Sequence, residues 1–232
     1  MDLMRDTPDG FFDLAIVDPP YGYGGVIVTG KSRREGFGGF IDHYEIQAAV
    51  IDSNQRSQTR VDVVHHGSSK ETIRSFGEVN VSPPPEYFNE LFRVSKNQII
   101  WGGNYFILPP SRGFLIWKKT TVHETFSMAM CEYAWMSYNA NAKVWEGAPQ
   151  GSKADPRIHP TQKPVKLYDW ILANYAKPGQ RILDTHLGSG SHAIACHYAG
   201  MHLTATEIDP DYFAASCERI ERETRQVEMF TL

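Results

Sequence analysis

Leu14-Ala15-Ile16-Val17-Asp18-Pro19-Pro20-Tyr21 opens with four apolar residues in a row and closes on a carboxylate, two prolines and an aromatic ring. An apolar run without alternation suits a strand covered on both faces, as in a parallel sheet. Pro19 and Pro20 cannot continue the ladder, so the chain leaves the sheet at Asp18. In open α/β sheets the carboxyl ends of the strands face the ligand crevice. A carboxylate, a rigid carbonyl and a flat ring placed there suit a planar amine. Asp-Pro-Pro is also an ordinary turn sequence, so the stretch alone leaves a surface turn plugged by Tyr21 equally open.

The rest of the chain favours the crevice. Around the quoted stretch, residues 2–12 read as a short helix ending at Asp9-Gly10. Glycines then crowd the sequence beyond Tyr21 among Lys31, Arg33 and Arg34, and polar composition continues past Arg56 and Arg60 to His65-His66. Residues 22–80 are expected to form a mobile insertion beside the crevice. No Cys or carboxylate spacing supports His65 and His66 as metal ligands, so no metal is expected. Pro83-Pro84-Pro85 starts a helix with Tyr87, Phe88, Leu91 and Phe92 on one face. Gln98–Trp101 is a buried strand ending in Gly102-Gly103-Asn104-Tyr105-Phe106; residues 113–117 and 131–138 are expected to pair as an antiparallel edge. The tryptophans read as core and edge packing.

After a polar connector, Ile158-His159-Pro160-Thr161-Gln162-Lys163-Pro164 enters an amphipathic helix carrying Leu167, Trp170, Ile171 and Tyr175. Arg181–Asp184 is a strand, Leu187-Gly188-Ser189-Gly190-Ser191 a tight turn into a helix, and His202–Ile208 a further strand. Tyr212, Phe213, Cys217 and Ile220 mark the inward face of the last helix. Strand, glycine turn, helix, strand, acid is a nucleoside-binding unit in outline, and Glu207 follows Gly188 by 19 residues, near the spacing at which an acid meets ribose hydroxyls. The turn lacks a Lys-Ser/Thr ending, so a phosphate-rich ligand is not required.

With 232 residues, 41% hydrophobic and 12% aromatic, the chain can bury a core as one α/β domain over 1–232. No apolar run suits a membrane span, and no secretory segment is evident at the N-terminus. Three widely separated cysteines suit buried free thiols in a reducing cytoplasm. A net charge of −4 disfavours nonspecific coating of nucleic acid but allows a local basic face.

These motifs resemble the amino-group DNA methyltransferases, which modify adenine N6 or cytosine N4 with S-adenosylmethionine. Asp18-Pro19-Pro20-Tyr21 matches the catalytic tetrapeptide and His159–Pro164 the methionine-side cofactor segment. Asp184 to Ser191 resembles the glycine-rich loop, and Glu207-Ile208-Asp209 the acidic strand end. Their order is that of the circularly permuted β class, and residues 82–106 and 158–222 also resemble compact, often phage- or prophage-borne members. The resemblance implies a Rossmann-like fold, with a mostly parallel central sheet and an antiparallel edge pair. It implies catalysis by Asp18, Pro19, Pro20 and Tyr21. Cofactor contacts are implied at His159, Thr161, Gln162, Lys163, Asp184, His186, Gly188, Ser189, Gly190, Ser191, Glu207 and Ile208. Lys163 is expected to pair with the cofactor carboxylate. Asp184-Thr185-His186 departs from the family's Asp-Pro-Phe, and no proton-transfer role is assigned to His186. Longer relatives carry a strand upstream of the catalytic one, for which Val227–Leu232 is a candidate substitute.

The implied reaction is site-specific methylation of adenine N6 in double-stranded DNA after base flipping, in the cytoplasm of a bacterial or phage-infected cell. Asp at position 18 leans to adenine over cytosine N4, which stays open. Methylation of RNA or of a protein glutamine, and a non-catalytic DNA-binding or regulatory protein with the same fold, are further alternatives. Lys31, Arg33, Arg34, Arg56 and Arg60 are the expected phosphate contacts. A homodimer and a cognate restriction endonuclease are partners suggested by analogy alone.

Overall fold

Leu14–Val17 form β1, and all four side chains are buried. A computed structural model describes residues 1–22, 48–51, 81–149 and 156–225. Strand alternation sends Leu14 and Ile16 into one core, and Ala15 and Val17 into another on the opposite face of the sheet. That two-sided burial is why the run carries no polar residue.

The other strands are β2 (Ala48–Ile51), β3 (Gln98–Trp101), β4 (Phe114–Lys119), β5 (Cys131–Met136), β6 (Lys143–Gly147), β7 (Arg181–Asp184) and β8 (His202–Thr206). They form one sheet in the order β2-β8-β7-β1-β3-β5-β4-β6. The centre, β8-β7-β1-β3, is parallel. From β1 the chain moves outward to β3, and from β7 outward to β8. The β1/β7 seam is therefore the topological switch point, where ligands bind in such sheets.

Helix α1 (Asp2–Arg5) and α2 (Pro85–Val94) cover the face that buries Ala15 and Val17. α3 (Val165–Tyr175), α4 (Ser191–Tyr198) and α5 (Pro210–Arg225) cover the other. Trp101 and Trp117 lie fully in the core, Trp135 is buried and Trp145 packs against the core's edge. Among the described residues no helix is long and apolar enough to cross a membrane.

Several elements differ from their expected form. The first helix ends at Arg5 rather than at Asp9-Gly10, because Pro8 disfavours helical geometry at Thr7, whose hydroxyl caps back onto the Leu3 carbonyl at 2.7 Å. β5 inserts between β3 and β4, so β4 does not follow β3 in the sheet. The antiparallel pair is not the edge either: β6, read as a connector in part, pairs parallel to β4 outside it. Within the expected insertion, Ala48–Ile51 supply an apolar edge strand antiparallel to β8. The basic residues Lys31, Arg33, Arg34, Arg56 and Arg60, the pair His65 and His66, and Val227–Leu232 lie outside the described residues.

Cys196 is buried, but Cys131 is exposed and Cys217 half-buried. Cys131 begins β5, whose first residue lies beyond the covered part of the sheet. On α5 the buried positions are Phe213, Ser216, Arg219 and Ile220, not Tyr212 and Cys217.

Ile16→Ala should lower unfolding free energy by about 2–5 kcal/mol in urea titration, since it empties a close-packed site. Ile107→Ala, at a side chain that is fully exposed, should change it by less than about 0.5 kcal/mol.

Candidate active site

The parallel register Leu14↔Ile182 and Ala15↔Leu183 brings the ends of β1 and β7 side by side. Asp18 and Asp184 therefore open onto one edge of the sheet, although 166 positions separate them. Tyr87 on α2 and Tyr168 on α3 each feel the charges of both carboxylates.

Asp18 uses both oxygens. Oδ1 accepts the Tyr21 hydroxyl at 2.9 Å, and Oδ2 accepts the Lys163 ammonium. Lys163 Nζ also lies 3.0 Å from Glu132 Oε2 and 5.1 Å from the centroid of the Trp101 ring. Glu132 Oε1 is in turn 2.8 Å from Lys119 Nζ. Four side chains from β1's end, the entrance to α3, β5 and β4 thus form a row of alternating charge, with the Lys163 side chain only 2% exposed. A cation so deeply buried is retained only when paired.

The two carboxylates are affected differently. Burial, reinforced by the charge of Glu132, pushes Asp18 above the usual carboxylate range against the pull of Lys163. Burial acts the same way on Glu132, but there Lys163 and Lys119 together hold it below that range. The Lys163 ammonium is held up, its burial outweighed by Asp18 and Glu132. Burial, with the charges of Asp18 and Glu132, raises the Tyr21 phenol far out of its ordinary range, so it is a donor.

Tyr21 stacks on Tyr105 with centroids 4.6 Å apart and planes at 28°. It lies against Gly102, which adopts φ +67°, and a Cβ there would overlap the Tyr21 ring. Only glycine satisfies both the backbone and the ring. Tyr105 is 42% exposed at the mouth of the crevice, so the two rings form a platform beside Asp18.

At the β7 side, the Gly188 N–H donates to Glu207 Oε2 at 2.7 Å, and the Asp209 N–H to Oε1 at 3.1 Å. Burial raises the Glu207 carboxyl. Gly188 and Gly190 take φ +55° and +76°, and the His159 ring stands over Gly188 and edge-on to Tyr212 at 4.4 Å. Burial, then the nearby Arg157 charge, pushes His159 down to about 4. Burial does the same to His186, also to about 4, so both rings are neutral near pH 7. Ile208 is 43% exposed beside Glu207. An open glycine turn with a carboxylate at its floor and an apolar residue at its rim fits a nucleoside with free ribose hydroxyls.

Other expected contacts serve to build this cradle. Asp184 accepts the His186 N–H at 2.9 Å and sits 2.8 Å from His192 Nδ1, whose ring stacks on Tyr168. Gln162 Oε1 accepts the Ile158 N–H, while Thr161 donates its N–H to His159 Nδ1 at 3.3 Å. The hydroxyls of Ser189 and Ser191 lie 3.1 Å apart. Buried Arg219 donates to the Ser189 carbonyl at 2.7 Å and to the Ser191 hydroxyl at 2.9 Å. Pro19 is buried and Pro20 half-buried. Lys163 stands with Asp18 and Glu132 rather than with the Gly188 turn.

Glu132, Lys119, His192 and Arg219 carry parts of the site that sequence reading missed. For Arg219 a signal existed: it shares the helical face of Phe213, Ser216 and Ile220. For Glu132 and Lys119 none did, since their approach follows from the β4–β5 register.

Lys163→Met removes a buried cation from between two half-buried carboxylates and should cost about 3–5 kcal/mol of stability. Carboxyls left without it have folded pKa values above their unfolded ones. The deficit should grow as pH rises through those values and shrink on acidification. Urea unfolding at pH 5 and pH 8 reads the difference.

Comparisons with known proteins bear on the family and the fold. The DNA methylase family model N6_N4_Mtase matches residues 91–218, a segment that includes Glu132, Lys163, Gly188 and Glu207. Among curated proteins, the type II methyltransferase M.HpaI of Haemophilus parainfluenzae is 31% identical over 65 residues, 28% of this chain and 21% of that protein. M2.DpnII of Streptococcus pneumoniae is 32% identical over 65 residues, 28% of this chain and 24% of its own length. The match thus spans less than a quarter of either relative. Among solved structures, the PvuII DNA methyltransferase (cytosine-N4-specific) superposes with a TM-score of 0.53 at 11% identity, covering 97% of this chain and 87% of that one. Its likeness extends to the fold. Since the family model covers more than half of the sequence, the chain belongs to the N6/N4 DNA methylase family.

Proposed function

We propose that the protein transfers a methyl group from S-adenosylmethionine to the exocyclic N6 of adenine in double-stranded DNA. The observation that carries this reading is the β1/β7 seam, which opens the Asp18–Tyr21 segment and the Gly188–Glu207 cradle onto one edge of the sheet.

An exocyclic base amine is a weak nucleophile because its lone pair is delocalised into the ring. Asp18 accepts one N–H and the Pro19 carbonyl the other, drawing the nitrogen toward a tetrahedral geometry with its lone pair freed. These acceptors are fixed in the fold, so little reorganisation is needed as positive charge develops on nitrogen. The platform of Tyr21 and Tyr105 offers a stacking surface to a base rotated out of the duplex, offsetting part of an unstacking cost of roughly a few kcal/mol. S-adenosylmethionine, held by Glu207, Ile208, His159 and the Gly188 turn, supplies an activated methyl when bound. What the protein adds is alignment, worth several kcal/mol of barrier at effective molarities on the order of 10⁵ M or more.

Asp18 as the first residue of the tetrapeptide favours adenine; cytosine N4 is the alternative within the same family. Lys31, Arg33, Arg34, Arg56 and Arg60 are the sequence's candidates for phosphate contacts, and neutralising them together should flatten the slope of log K against log salt.

Incubation with labelled cofactor and duplex DNA, RNA or protein, followed by hydrolysis, should release N6-methyladenine from the DNA alone. N4-methylcytosine would assign the alternative base, and label in RNA or protein would overturn the reading. Asp18→Ala should reduce transfer by at least about 10³-fold while leaving cofactor affinity within about threefold, measured by calorimetry.

A further inference from the structure

We propose that Glu132, anchored by Lys119, is a positioning residue that divides the Lys163 ammonium with Asp18, so that Asp18 is oriented by the lysine without being sequestered by it. The inference deepens the proposed function, because it concerns how the acceptor of the base amine is kept available.

The geometry is a branched contact. Lys163 Nζ touches Asp18 on one side and approaches Glu132 Oε2 at 3.0 Å on the other, with the Trp101 ring closing a third direction at 5.1 Å. An ammonium facing a single carboxylate in a buried site would commit its charge and its hydrogens to that carboxylate. Asp18 would then be a spent acceptor, already holding the Tyr21 hydroxyl on Oδ1. A second carboxylate divides the attraction. Glu132 holds that place as an ionised carboxylate, drawn first by Lys163 and then by Lys119, itself 7% exposed and 2.8 Å away. The row Lys119, Glu132, Lys163, Asp18 is thus neutral overall, with Asp18 at the end that meets Tyr21.

The shifts agree in direction. Asp18 is raised by burial and by Glu132 against the pull of Lys163, while Glu132 is held down by two lysines against its own burial. A proton entering the row therefore goes to Asp18. The other groups facing Asp18 are Tyr21 after β1, Tyr168 on α3 and Tyr87 on α2, with Asp184 at the end of β7 acting on the same two tyrosines. Burial raises all three tyrosines, so they stay neutral while Asp18 titrates.

Two substitutions should move Asp18 in opposite directions. Glu132→Gln removes a neighbouring negative charge and leaves Lys163 to Asp18 alone, so the Asp18 midpoint should fall by about one unit. Lys119→Met removes a positive charge and should raise it. The measurement is a carbon-13 carboxyl titration of aspartate-labelled protein, with the Asp18 signal identified by its loss in Asp18→Asn. In methyl transfer, the acid limb of the kcat–pH profile should shift the same way in each variant, with the cofactor Kd within about twofold of the parent. Glu132→Asp, which keeps the charge, should restore the parent midpoint. Should Glu132→Gln fail to fold, Lys119→Met alone decides. An Asp18 midpoint that does not move in the folded variants overturns the inference. Opposite shifts in a protein that methylates no nucleic acid would uphold the charge sharing and overturn the function instead.

Discussion

The pairing of β1 with β7 holds two distant segments in a fixed parallel register, and every feature of the site is referred to it. A parallel pair cannot be closed by a hairpin, so its geometry depends on the crossovers that flank it and on burial of both faces. Leu14 and Ile16 pack under α3 and α4, while Ala15 and Val17 pack under α1 and α2. The seam is thus clamped between two cores, and the carboxyl ends of its strands have little freedom to separate. Asp18 and the turn at Gly188 inherit that rigidity.

Charge organises the edge that the seam creates. Buried ion pairs contribute little net stability, since desolvation offsets most of their attraction. The row from Lys119 to Asp18 holds a carboxylate in place beside the stacked rings of Tyr21 and Tyr105. Nearby histidines are kept out of this electrostatic traffic: His159 and His186 are both lowered to about 4 by burial and act as neutral rings. Asp184 is occupied with the His186 N–H and His192, so it shapes the loop from below. Within the cradle, the carboxylate beside the Gly188 turn is that of Glu207.

The glycine turn is supported in a similar way. Gly190 in the left-handed region precedes α4, and Arg219 from α5 reaches back to Ser189 and Ser191. A buried guanidinium tied to the turn's backbone joins the last helix to the loop at the site. Packing between α4 and α5 is in this way coupled to the shape of the loop.

Much of this was legible in the sequence because it is local. Four apolar residues ending in Asp-Pro-Pro specify a doubly covered strand and its stop, and Leu187–Ser191 specifies a glycine turn into a helix. The distance from Gly188 to Glu207 is set by one strand–helix–strand unit. These are constraints on neighbouring residues, so their pattern survives in one dimension. The tertiary structure alone decided that β5 lies between β3 and β4, that Ala48–Ile51 and Lys143–Gly147 supply the outer strands, and that Lys163 turns toward Asp18 and Glu132. Register and strand order depend on which surfaces can be buried together, a competition among the whole chain's faces that no local motif records. The meeting of Lys119, Glu132, Lys163 and Asp18 is its product: four charges far apart in the chain, brought together because the sheet that carries them can close its core in that order.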